Sequence, residues 1–356
     1  MDNRISRRRF LELAAMAGGT LVVGGIGLKE AEKIVQAGQR PNQKKPLLFG
    51  GGMIWAKWLD KGKMTWDYDE KEMAAFKAIG GTHTGASFDW CDLEKVKGKW
   101  DWSYMDHVVE AAHKIGLSQG GYIGNTTPWA LPAGIKPDLG YRNPPRDECI
   151  PDFQNYCRMV AKRYKGKVDR FGFWNEPNGC SWINDGCSNG NMYESYTKWL
   201  KIAYKALKEG NPKCVVAGAS IDYNAGVKDG YKYIEGMYKC GAKGYFDAIS
   251  IHPYGEPLHW EALADTRRVM VENGDRKKGI WITEWGYNNS RGEDAAKKLK
   301  EVLTKLQTPK YSYVTLANYL CITDLPIENS EQYGLMNRKL ELRPIAKAFK
   351  QMAMGK

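Results

Sequence analysis

Short apolar runs alternate with amphipathic stretches along most of the chain. The runs have the length of buried β-strands, and several are rich in β-branched and aromatic residues. In the stretches between them, apolar residues recur three and four positions apart, as Val108, Ala111, Ala112 and Ile115 do, which predicts helices. Strands are predicted at residues 47–54, 82–88, 117–123, 168–174, 214–220, 246–252, 279–285 and 313–322.

Eight strands that alternate with helices predict an α/β fold, a single (β/α)₈ TIM barrel. The predicted catalytic domain covers residues 45–356. An open, doubly wound sheet is the alternative, and it would normally carry a G-x-G-x-x-G turn after an early strand. The sequence GGTHTG at 80–85 lacks that order, so the barrel is favoured.

The first residues resemble an export signal rather than part of the fold. The stretch SRRRFLELAAMAGGTLVVGGIG at 6–27 has paired arginines, then Phe-Leu, then a weakly apolar, glycine-rich run. We therefore predict a twin-arginine signal over residues 1–37, recognised by the twin-arginine export machinery, and a periplasmic or extracellular protein. A short membrane anchor is the alternative, but the glycines disfavour it, and no stable membrane span is expected after cleavage.

Charge and composition exclude little. The net charge is +12, and 12% of residues are aromatic, including 13 Trp and 20 Tyr. A basic surface can attract an anionic polymer, but no nucleic-acid motif is present, so no nucleic-acid partner is predicted. Flat Trp and Tyr rings suit contact with a ligand, although they fill large cores equally well.

Cysteine usage points to one candidate disulfide and to no metal site. Export permits disulfides, and Cys180 and Cys187 flank the short segment SWINDG. Neither C-x-x-C nor H-E-x-x-H occurs, so no metal and no cofactor are predicted.

Two glutamates lie where barrel chemistry is expected. Glu176 follows the fourth predicted strand, and Glu284 lies at the end of the seventh. Active sites of these barrels lie at the C-terminal ends of the strands, and strands four and seven face each other across the opening. Two opposed carboxyl groups suit retaining glycoside hydrolysis. A general acid needs a raised pKa, which we expect from the aromatic wall of Trp174.

The motifs around these glutamates resemble those of the clan A glycoside hydrolases. WNEPN (174–178) and ITEWG (282–286) resemble the two catalytic segments, and DAISIHPYG (247–255) resembles the end of strand six. The resemblance extends over roughly residues 47–350 and is greatest to families 39 and 5. It implies cleavage of β-linked glycosides or polysaccharides by double displacement, with an oligo- or polysaccharide as substrate.

The resemblance also implies roles for individual residues. Glu176 corresponds to the acid/base and Glu284 to the nucleophile. Asn175 would bond the sugar 2-hydroxyl, and Tyr254 would bond the nucleophile. Further cleft residues implied by position are His252, Trp129, Trp285 and Tyr319, the last as an aromatic platform on strand eight.

One departure from the family pattern affects the support of Glu284. Members often carry an arginine near the end of strand two, whereas the segment between Ile79 and Trp90 has none. His83 is the candidate substitute. Two other functions remain open: an exported carbohydrate-binding pseudoenzyme of the same fold, and a different hydrolase. The second would be expected to show G-x-S-x-G, and GASID at 218–222 fails at its last position.

Overall fold

A computed structural model describes residues 47–52, 66–135, 142–179, 192–223, 230–288, 291–324 and 332–355. The predicted signal at 1–37 and the candidate pair Cys180 and Cys187 lie outside these ranges, so both stay predictions. None of the helices within the described ranges is long and apolar enough to cross a membrane.

Eight parallel strands form a closed barrel, which confirms the predicted fold class. Each strand pairs with the next in sequence, and β8 closes the barrel by pairing with β1. The strands are β1 (Leu48–Gly52), β2 (His83–Ser87), β3 (Ser118–Ile123), β4 (Val168–Phe173), β5 (Val215–Asp222), β6 (Ala248–His252), β7 (Gly279–Ile282) and β8 (Val314–Tyr319).

Helices surround the barrel and follow its strands. The described helices are α1 (Trp66–Ala78), α2 (Trp90–Leu93), α3 (Ser103–Lys114), α4 (Ile150–Arg163), α5 (Met192–Gly210), α6 (Gly230–Lys239), α7 (Trp260–Glu272), α8 (Glu293–Leu306) and α9 (Pro344–Met354). Short 3₁₀ turns lie at Pro128–Ala130, Asp147–Cys149 and Pro309–Tyr311. The apolar faces of the long helices pack on the outer face of the sheet and form the main core.

The predicted eighth strand is divided in the structure. β8 ends at Tyr319, and a separate strand β9 (Cys321–Thr323) pairs in parallel with β10 (Gly334–Met336) outside the barrel. The division falls at Leu320, whose N–H donates to the carbonyl of Trp285 at 2.8 Å. An apolar run does not reveal this change of partner, because both pieces are buried.

Both apolar and polar side chains fill the inside of the barrel. Ala217, Ala248, Trp281 and Leu316 form a small apolar cluster contributed by β5 to β8. Elsewhere inside the barrel, glycines leave room for larger side chains: Tyr122 lies against Gly172, and Asn318 occupies the space beside Gly50. A barrel interior is usually filled by branched apolar residues, so polar side chains here need a separate explanation.

Candidate active site

Strained backbone is concentrated at the C-terminal ends of β3, β4 and β5. We call this end of the barrel the mouth. Six non-glycine residues in the described ranges have positive φ, and five of them lie here: Asn125, Trp174, Glu176, Ala219 and Ser220. Such conformations each cost about 1–3 kcal/mol and tend to cluster at functional sites. The mouth is therefore the first place to look for chemistry.

The turn that carries Glu176 is tied to both neighbouring strands. The N–H of Trp174 donates to the carbonyl of Ile123 on β3, and the N–H of Glu176 donates to the carbonyl of Ser220 on β5. Asn178 exchanges two hydrogen bonds with the backbone of Asp222, at 2.8 and 3.0 Å. The Glu176 side chain remains 29% exposed, so it is held in place and still reaches solvent.

Glu284 lies two residues after β7 and is more enclosed. Its side chain is 17% exposed. The hydroxyl of Tyr254, which follows β6, donates to Glu284 Oε2 at 3.3 Å. This contact gives the carboxylate a neutral donor without adding a positive charge.

His252, the last residue of β6, joins the two carboxylates. It is fully buried, and its Nδ1 lies 2.9 Å from Glu176 Oε1 and 3.7 Å from Glu284 Oε2. The donor atoms of the three side chains all lie within 4.8 Å of one another, so an oxygen of one glutamate lies within that distance of an oxygen of the other. The structure thus brings Glu176, Glu284, His252 and Tyr254 together at the mouth.

The pKa directions at these groups follow from burial and mutual charge. Burial raises the pKa of Glu284, and the charge of Glu176 adds to this, although His252 and Tyr254 oppose it. Burial alone would lower the pKa of His252, but the charge of Glu284 and the bond to Glu176 raise it.

Glu176 behaves differently from our expectation. Burial raises its pKa, but the hydrogen bond and charge of His252, assisted by the charge of Arg142, outweigh burial and lower it. The expected rise from an aromatic wall is therefore wrong in direction. The physical reason is the positive charge of His252, which residue order alone did not place beside the Glu176 carboxylate.

His83 cannot replace the missing arginine, so that prediction is wrong. It is the first residue of β2 and therefore lies at the end of the barrel opposite the mouth. Its Nδ1 bonds Ser118 at 3.2 Å, and burial and then the nearby charge of Arg170 lower its pKa to about 3. A neutral, buried histidine there supports the barrel rather than Glu284.

Trp285 and Tyr319 are core residues, which corrects their prediction as cleft residues. Trp285 is 1% exposed, and Tyr319 is fully buried. Their rings meet edge to face with centroids 5.5 Å apart, and the Tyr319 hydroxyl accepts from the N–H of Tyr287. A ring enclosed in this way offers no face to a sugar.

Trp129 and Asn175 both lie on the mouth side of the barrel. Trp129 lies in the 3₁₀ turn after β3, half-buried, with its indole N–H donating to the carbonyl of Glu94. Asn175 is exposed directly before Glu176. Their predicted contacts with sugar remain predictions.

Four polar residues beside the carboxylates had not been selected from the sequence. Thr283 and Tyr122 contact Nε2 of His252, at 3.0 and 3.4 Å, and Ser220 and Ser250 extend these contacts into the barrel. The available signal was position, since each lies in or just after a predicted strand where an apolar residue would be usual.

The donor atoms of Glu176, His252 and Glu284 also form the one group of three potential metal ligands this close together in the described ranges. His252 and Glu176 are at hydrogen-bond distance, and Tyr254 donates to Glu284. These partners satisfy the three groups directly, so the arrangement supports acid–base and nucleophilic chemistry without requiring an ion.

A parallel barrel with two facing carboxylates at its mouth defines the glycoside hydrolase class of site. The sequence matches the family Glycosyl hydrolase catalytic core over residues 154–349, which is more than half of the chain. The chain belongs to this family. No match is found among curated proteins.

Solved structures of glycoside hydrolases share the fold. A family 39 glycoside hydrolase from Bacteroides cellulosilyticus WH2 aligns with TM-score 0.68 and 20% identity, over 87% of this chain and 64% of its own. A variant of GH5_18 from Streptomyces cattleya, in complex with Manb1-4GlcNAc, aligns with TM-score 0.67 and 12% identity, over 87% and 80%. A monomeric β-xylosidase from Caulobacter crescentus CB15 aligns with TM-score 0.64 and 16% identity, over 88% and 69%. The chain thus spans just under two thirds of the length of the Bacteroides enzyme.

Proposed function

We propose that the protein hydrolyses β-linked glycosides with retention of configuration, with Glu284 as nucleophile and Glu176 as acid/base. The separation of the two carboxylates carries this proposal. Retaining enzymes hold the two groups about 5–5.5 Å apart, whereas inverting enzymes need about 6.5–9.5 Å to admit a water molecule. Oxygens that approach within 4.8 Å fit the retaining class.

The surroundings of each carboxylate suit these two roles. Glu284 is enclosed and receives the Tyr254 hydroxyl, so an ionised oxygen can be held in position for attack on the sugar. Glu176 is more exposed, and its Oε1 is occupied by His252, which leaves Oε2 for the glycosidic oxygen. Asn175, exposed beside Glu176, is available to a sugar hydroxyl.

The proposed substrate class rests on the family and not on a single contact. The three structural relatives described above include a β-xylosidase and an enzyme solved with a mannose–N-acetylglucosamine disaccharide. We propose β-linked oligo- or polysaccharides as substrates of this chain. A panel of aryl β-glycosides and of glucan, mannan and xylan polymers would identify the sugar.

Trapping of the covalent intermediate tests the reaction. A 2-deoxy-2-fluoro β-glycoside with a good leaving group should inactivate the enzyme and add one glycosyl group to Glu284, because the fluorine slows hydrolysis of the ester. Peptide mapping by mass spectrometry would locate the label. A label on another residue, or turnover of aryl glycosides with inversion, would overturn the assignment.

The activity should depend on pH with two limbs set by these groups. Glu284 must be ionised to attack, and its pKa is raised, so activity should fall on the acid side at a pH above 4.5. The acid step needs His252 in its charged form, and the pKa of His252 is raised, so the alkaline limb should lie above 6.5. Such limbs report the coupled group rather than one residue.

Tyr254→Phe separates the two limbs. The Tyr254 hydroxyl lowers the pKa of Glu284, so its removal should move the acid limb of kcat/KM upward by about 0.5–1 pH unit and leave the alkaline limb unchanged. A downward shift, or an equal shift of both limbs, would contradict the roles given to these residues.

We also propose export through the twin-arginine route, which rests on the sequence of residues 6–27 alone. Changing Arg7 and Arg8 together to Lys should retain the protein inside the cell, as measured by fractionation and activity. Unchanged export of this double variant would remove the proposal, and the catalytic assignment would stand.

A further inference from the structure

A connected chain of hydroxyl groups lies beneath the two carboxylates. Ser220 Oγ donates to Ser250 Oγ at 3.1 Å, Ser250 Oγ lies 2.5 Å from Thr283 Oγ1, and Thr283 Oγ1 lies 3.0 Å from Nε2 of His252. Ser220, Ser250 and His252 are fully buried, and Thr283 is 9% exposed. Four polar side chains from two strands and the turn after β7 therefore meet where barrels are usually apolar.

A bulge in β5 explains how this chain is built. The register between β5 and β6 shifts between Ala219 and Ile221, and Ala219 and Ser220 both have positive φ. Ser220 therefore has two roles. Its carbonyl accepts from the N–H of Glu176, and its hydroxyl begins the chain. The other end of the chain reaches His252, which bonds Glu176 Oε1. These hydrogen bonds form a closed ring that begins at the N–H of Glu176 and ends at its carboxylate.

Hydroxyl groups have a property that this position needs. A hydroxyl can donate or accept, whereas a carboxylate only accepts and a backbone N–H only donates. In a buried imidazole that changes its charge, one ring nitrogen gains and loses the proton. That nitrogen offers a lone pair when the ring is neutral and an N–H when the ring is charged. Either group would be costly to leave without a partner.

We propose that Ser220, Ser250 and Thr283 are positioning residues that let His252 gain and lose its proton at Nε2 while Nδ1 keeps its proton toward Glu176 and Glu284. Thr283 donates to Nε2 when the ring is neutral and accepts from Nε2–H when the ring is charged. The orientation of Glu176 is then the same in both states. This inference rests on the proposed function for its catalytic meaning, but the protonation pattern can be measured without turnover.

Other titratable groups around His252 are consistent with this arrangement. Glu176 and Glu284 face Nδ1, whereas Tyr122 of β3 reaches Nε2 at 3.4 Å. Asp222 of β5 contributes a further negative charge. All three carboxylates favour a proton on the ring, and the two nearest favour Nδ1 as its permanent position.

The test is ¹⁵N NMR of histidine-labelled full-length protein over a range of pH, with His252 assigned from His252→Gln. In the wild type, Nδ1 should remain protonated throughout, and Nε2 should titrate. Thr283→Val removes the hydroxyl that accepts from the charged ring, so the titration midpoint of His252 should fall by about 1–2 pH units. Thr283→Ser should restore it, and Ser250→Ala should give a smaller fall.

Thr84→Val is the matched control, because Thr84 is fully buried in β2 and its hydroxyl has no hydrogen-bond partner within the described part of the chain. It should leave the titration unchanged. Titration at Nδ1, an unchanged midpoint in a folded Thr283→Val, or an equal shift in Thr84→Val would each overturn the proposal. If Thr283→Val does not fold, the direction of the shift in Ser250→Ala decides. The expected titration in a protein that cleaves no glycoside would defeat the proposed function alone.

Discussion

Glu284→Gln should lose at least about 10⁴-fold in kcat on every β-glycoside, because it removes the carboxylate that we propose forms the covalent intermediate. The amide is almost the same size as the carboxylate, so the core around Trp285 and the contact of Tyr254 need not move. Because every substrate needs the nucleophile, the loss of activity should not depend on the leaving group. Steady-state kinetics with several aryl glycosides would measure it.

Glu256→Gln is the matched control for this variant. Glu256 also lies after a barrel strand, but it is 53% exposed and paired with Arg291 and Lys298 on the surface. Exposed ion pairs contribute little, so this variant should keep nearly full activity. A loss at Glu256 similar to that at Glu284 would indicate that the mouth tolerates no charge change. Appreciable residual activity in a pure sample of Glu284→Gln would identify another nucleophile.

The sequence predicts the barrel and the placement of its two glutamates well, for a simple physical reason. In this fold, each strand pairs with the next in sequence, so strand order can be counted along the chain. A residue just after the fourth strand and one just after the seventh must then meet across the mouth. Glu176 and Glu284 needed no information about packing beyond that order.

Predictions based on residue type alone were wrong where side-chain direction or strand position decided the outcome. His83 begins its strand instead of ending it, which places it at the opposite end of the barrel. On β8, Asn318 points into the barrel, so the next residue, Tyr319, points outward and packs with Trp285. Strand alternation predicts this only when the strand ends are known.

The electrostatics of the site were the least predictable part. The lowered pKa of Glu176 depends on the contact of His252 at 2.9 Å. The hydroxyl chain depends on a bulge at Ala219 and Ser220, which both have positive φ although neither is a glycine. Neither feature follows from periodicity, because both arise from close contacts between strands and local backbone strain.

Glu176→Ala should lower activity by an amount that depends on the leaving group. With an unactivated glycoside, the departing oxygen needs a proton, and loss of the general acid should cost about 10²–10⁴-fold in kcat/KM. An activated nitrophenolate leaves without protonation, so formation of the covalent intermediate from a nitrophenyl glycoside should be little affected. Hydrolysis of the intermediate still lacks its base, and KM for that substrate should fall as the covalent form accumulates.

Azide supplies the decisive measurement for Glu176→Ala. The anion can enter the space left by the side chain and attack the covalent intermediate, which releases the Glu284 carboxylate and yields a β-glycosyl azide. Rescue of turnover with this product requires both a vacant acid/base position and retention at Glu284. Asn175→Ala is the adjacent control, because Asn175 is exposed and we propose that its amide binds the sugar alone. Its loss should reduce activity on all substrates alike and give no azide product. If Glu176→Ala gives a uniform loss without azide rescue, Glu176 orients His252 and another group supplies the proton.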